Sequence, residues 1–119
     1  MHAAIDVDVL QRATGEDPEL ISEIIEDFVA YAQSGIAAIR TAIVREDAKQ
    51  LGIALHRLKG SASLVGAYGL LDTLTRVEAA AYATDWPTAH RLLPHLHGSM
   101  KHIEKAAAAV VDVRSSIWR

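Results

Sequence analysis

Residues 56–63 read HRLKGSAS, which sets an imidazole, an ammonium, a glycine and two hydroxyls within about two helical turns. A histidine outside the core is a nucleophile available near pH 7. An ammonium one turn further on can offset the charge of a phosphoryl group carried by the ring. At about 100° per residue, His56, Lys59, Gly60 and Ser63 fall about 80–180° away from the apolar stripe centred on Leu51, Leu58 and Ala62. They share an outward face, with Gly52 near its edge. Glycine inside a helix costs about 1 kcal/mol relative to alanine, and an exposed position gives no packing reason to keep one. A missing side chain on such a face lets another molecule approach the backbone. Glu78, at a boundary position of the following helix, is a second candidate. Its carboxylate reaching Nδ1 of His56 would fix the tautomer and leave Nε2 free to attack, although it can equally pair with a nearby lysine or arginine, or face water. Ser63 is either a hydrogen-bond donor to such a group or a filler on a polar face.

The elements that must hold these residues are helices. Asp17-Pro18-Glu19 places an N-cap acceptor before a proline at the first helical position, and Ile21, Ile25, Phe28, Ala32, Ile36, Ile39 and Ile43 repeat at spacings of four and three. That pattern predicts a helix over 18–45. Asp47 caps the next, whose inward stripe is Leu51, Leu55, Leu58, Ala62 and Val65, with Gly66 and Gly69 permitting a turn. The stripe continues past Gly60, so that glycine is not a helix stop. Leu70, Leu74, Val77 and Ala81 define a third helix. Thr84-Asp85-Trp86-Pro87 starts a fourth, with the stripe Ala89, Leu93, Leu96, Met100, Ile103, Ala107 and Val110. Pro94 lies inside that last helix and should weaken its first turns, and the tail RSSIWR is expected to fray. A short amphipathic segment near residues 6–13 (Val7, Val9, Leu10) can cover one end. Short connections imply antiparallel neighbours, so the expected fold is all-α: an up-down antiparallel four-helix bundle with a short N-terminal helix, one domain over 1–119.

Composition narrows the function. The 119 residues carry a net charge of −3, which gives no basic footprint for nucleic acid. The chain contains no cysteine, hence no thiolate nucleophile, thiolate metal site or disulfide, as suits a reducing compartment. No apolar window is long enough to span a bilayer. His90, His95, His97 and His102 lie on the last helix, yet none pair at i, i+3 or i, i+4, so no metal site is expected.

The run H-R-L-K-G-S-A-S-L-V-G-A, His56 to Ala67, followed by Leu70, Leu74 and Val77-Glu78, resembles the signature of histidine-containing phosphotransfer (HPt) domains of bacterial multistep phosphorelays. The likeness extends across the bundle pattern and includes the Asp-Pro-Glu-Leu opening of the first long helix. By that resemblance His56 is the phosphorylated residue, Lys59 stabilises the phosphoryl group, Gly60 admits the partner and residue 78, Glu or Gln in relatives, orients the imidazole. Leu55, where many relatives have alanine, is a departure on the core stripe that alters packing more than chemistry. The resemblance further implies a phosphoryl carrier rather than an enzyme, with no glycine-rich nucleotide loop and no cofactor of its own. Mg²⁺ would belong to the partner, a response-regulator receiver domain. A hybrid sensor histidine kinase upstream and a cytoplasmic location follow from the same likeness, either free or at the cytoplasmic end of such a kinase.

The expected docking surface is the outward face of residues 49–67, with Gly52, Gly60, Ser63 and the apolar Leu64, together with the short N-terminal helix. Two rivals predict other behaviour. The phospho-accepting domain of a chemotaxis-type kinase would take its phosphoryl group from an ATP-binding domain elsewhere. A helical scaffold or dimerisation module would have an inert His56.

Overall fold

The structure, a computed structural model, describes residues 4–117, with side chains described through Val110. Five helices follow in order: α1 (Val7–Thr14), α2 (Pro18–Val44), α3 (Ala48–Leu64), α4 (Tyr68–Tyr82) and α5 (Trp86–Ile117). Aspartates begin four of them. Asp6 and Asp17 each accept from the N–H groups of the second and third residues of their helices, and Asp47 accepts from the Gln50 N–H. Asp85 accepts from both the N–H and the hydroxyl of Thr88. Each satisfies donors that the first helical turn leaves without intrahelical partners. Only α4 starts without a side-chain cap, at the buried Ala67.

The three turns of the main bundle share one backbone device. Glu46, Gly66 and Thr84 adopt left-handed φ angles of 52°, 66° and 51°. The residue after each sends its N–H back to a carbonyl five positions earlier: Asp47 to Ala42, Ala67 to Ala62 and Asp85 to Ala80. That bond closes a helix C-terminus in the Schellman manner and reverses the chain within three residues. Consecutive long helices are therefore antiparallel neighbours. In the resulting ring α2 packs on α3 and α5, α4 packs on α3 and α5, and α1 lies against α2. Gly69, expected in the turn, is instead in the first turn of α4, because the single left-handed residue Gly66 completes the reversal.

The core is a single cluster in which the α3 stripe Leu51, Leu55, Leu58, Ala62 and Val65 meets Ile25, Phe28, Ala32, Ile39 and Ile43 of α2. Leu70, Leu74 and Val77 of α4 and Ala89, Leu96, Met100, Ile103 and Ala107 of α5 close it. Ala81, Leu93 and Val110 sit at its edge, half-buried. Leu55 is buried as a core residue. The helix α5 runs through Pro94 and continues to Ile117, with no glycine or proline after Gly98 to interrupt it. Trp118 and Arg119 lie outside the described residues. Among those described, no helix is long and apolar enough to cross a membrane.

Candidate functional site

Helix α3 presents its outward face between the flanking helices. His56 and Gly60 are exposed there, as are Gly52 and Ser63, while Lys59 is half-buried toward α4. An alanine Cβ at Gly52 or Gly60 would meet nothing within 4 Å, so neither glycine is needed to pack the protein against itself. The backbone around His56 is open on both sides, one helical turn away in each direction. Leu64 is 73% exposed, an apolar side chain two turns beyond the histidine.

Glu78 does not hold the imidazole. Its Oε1 lies 3.0 Å from Lys59 Nζ, in an ion pair across the α3–α4 seam, and the His56 side chain makes no hydrogen bond to any described residue. The helical register explains the choice. Lys59 sits about 60° closer to α4 than His56 does, so the ammonium meets the carboxylate first. Of the three alternatives for Glu78, this structure has the pairing with a neighbouring lysine.

Helical projection missed the α2 side of the site. A shallow groove between α2 and α3 is lined by Ile24, Phe28, Tyr31, Ser61 and Leu64, with Asp27 at its rim. A second groove, which shares Tyr31, is lined by Ile53, Ala54 and Arg57. Ile53 and Tyr31 are exposed apolar residues, Ile53 one turn before His56 on α3 and Tyr31 on α2 across the groove. Ile53, one turn before the histidine and on the outward arc of α3, is an apolar residue where the period calls for a polar one, and that signal was legible. Tyr31 comes from another helix and carries no such mark. Among the described residues no group of three His, Cys, Asp or Glu side chains gathers to hold a metal.

A histidine on the open face of a four-helix bundle, with a lysine one turn away and glycines around it, defines a phosphotransfer-type bundle. A family model of the Hpt domain matches residues 23–110, and the chain belongs to that family. A solved structure from rice, assigned as a histidine-containing phosphotransfer protein, superposes with a TM-score of 0.85 at 18% identity, covering 98% of this chain and 85% of that one. At that identity the superposition speaks for the fold. None of the curated proteins matches the sequence significantly. The function is that of the family, histidine phosphotransfer in a phosphorelay, and Hpt domains are phosphocarriers rather than kinases whose partners include receiver domains.

Proposed function

We propose that His56 is the phosphoryl carrier and that the 119 residues form one Hpt domain relaying phosphoryl groups between the aspartates of receiver domains. The observation that carries this is the exposure of His56 on an otherwise regular helix, with Lys59 one turn on and open space at Gly52 and Gly60. In the forward step the Nε2 lone pair forms the N–P bond while the P–O bond to the receiver's aspartate breaks. The electron pair leaves on the aspartate carboxylate, and the Nδ1 proton is free to pass to solvent. Such a transfer has a loose transition state and depends mainly on positioning and charge neutralisation. One lysine on this chain suffices if the receiver brings the aspartate, Mg²⁺ and its own cation. Lys59 supplies positive charge beside the ring, Ser63 lies on the same face as a donor, and Gly60 leaves room for the incoming loop.

Leu64, Ile53 and Tyr31 supply apolar contact for the receiver around the histidine. The absence of a nucleotide-binding motif in the sequence supports a carrier with no kinase activity of its own, and the absence of a spanning helix among the described residues agrees with a cytoplasmic domain. The test is transfer from receivers charged with a small phosphodonor and Mg²⁺. The expected result is an acid-labile, base-stable label on the wild type that is lost in His56→Gln. A label that survives in His56→Gln, or none with any receiver, contradicts the assignment.

A further inference from the structure

The ion pair between Lys59 and Glu78 places a carboxylate on the very cation that a phosphoryl group on His56 requires. The side chains are 30% and 53% exposed, so the pair is partly solvated and exchangeable rather than locked in the core. The His56 side chain makes no hydrogen bond to any described residue, and the carboxylate of Glu78 is engaged by Lys59 instead. We propose that Glu78 is a positioning residue acting through Lys59: it holds the ammonium at the α3–α4 seam in the unphosphorylated protein and competes with the phosphoryl group for it. The carboxylate thereby lowers the phosphoryl affinity of His56 and keeps the group easy to pass on. This rests on His56 being the carrier.

The sign of the effect separates this role from imidazole orientation. An acceptor orienting Nδ1 aids attack, so its loss slows transfer. A carboxylate competing for Lys59 does the opposite, and its neutralisation favours the phosphorylated histidine. Glu78→Gln is the informative change, because the amide oxygen can still accept from Lys59 while the negative charge is gone. An exposed ion pair of this kind is worth less than about 1 kcal/mol, which corresponds to a shift of about two- to fivefold in the transfer equilibrium.

The experiment equilibrates the full chain with a phosphorylated receiver and measures the share of label on each partner. Glu78→Gln is expected to raise the ratio of histidine-bound to aspartate-bound label about two- to fivefold, and the gain should disappear in a Lys59→Gln background. A nitrogen-15 NMR signal from Lys59 Nζ is expected to shift on phosphorylation of the wild type and to start closer to the shifted position in Glu78→Gln. An unchanged or lowered histidine share in Glu78→Gln, or a gain that persists without Lys59, overturns the proposal while leaving His56 as carrier. A wild type that takes no label at all removes the carrier itself.

Discussion

Gly66 and Asp6 meet so closely that a Cβ on Gly66 would overlap the Cβ of Asp6, and the Asp6 N–H donates to the Val65 carbonyl at 3.1 Å. The helix α1 is thus seated on the α3–α4 turn at the C-terminal end of the helix that carries His56. Ile5 and Leu10, both buried, complete the attachment. The same left-handed backbone is occupied by Glu46 and Thr84 in the other two turns, so φ alone does not demand glycine at 66. The contact with Asp6 does.

That comparison yields a paired prediction. Asparagine tolerates left-handed φ, yet Gly66→Asn should destabilise by about 1–3 kcal/mol, because its Cβ must displace Asp6. Glu46→Gly, at a turn with the same φ region, should leave stability unchanged or raised by less than about 1 kcal/mol, as relief of the backbone cost offsets the entropy of glycine. Urea unfolding of both variants checks this. Equal effects at the two turns would mean that seating α1 is not what Gly66 provides.

Gly60 and Gly52 should behave differently from Gly66. Alanine at either site has free space, so each substitution should raise stability by about 0.5–1 kcal/mol. Gly60→Leu should keep the helix, measured by circular dichroism, while slowing phosphoryl transfer by about tenfold or more, since a misplacement of even 1 Å at the reacting centre is costly. Unaltered transfer in Gly60→Leu would remove access as the reason for the glycine.

Ser22, buried on α2, has a hydroxyl with no hydrogen-bond partner. An unsatisfied buried hydroxyl costs about 1–3 kcal/mol, so Ser22→Ala should stabilise the fold by about 1 kcal/mol. Thermal or urea unfolding reads the change, and a loss of stability would show that the hydroxyl is satisfied in solution.

Asp85 is held below the usual carboxylate range, first by the Thr88 hydroxyl, then by the Thr88 N–H, with Arg91 adding a smaller attraction. A folded-state pKa below the unfolded one means that its contribution to stability is present above the unfolded value near 3.8 and is lost as the pH falls through the lower folded value. Thr88→Val should therefore be less stable than wild type at neutral pH, with the difference shrinking below about pH 4. A gap between the two unfolding curves that stays constant into acid would contradict the cap's role.

Much of this molecule could be read along the chain. Asp17, Asp47 and Asp85 mark their helix starts by cap chemistry that acts within three residues. The stripes of α2 to α5 follow from the helical period, so the bundle and the outward placement of His56 and Gly60 are local consequences of residue spacing. The site was harder where it depended on other helices. Tyr31 and Ile24 line a groove with Ser61 and Leu64 of the helix that carries His56 only because α2 packs beside α3.

The sequence by itself determined the helices, their order, and which residues of α3 face outward, because caps and periodicity operate over a few residues. Tertiary packing decided that Lys59 rather than His56 meets Glu78, and that Gly66 must lack a side chain. Both outcomes depend on distances between segments far apart in the chain, and those distances exist only once the helices have set their relative rotation and depth.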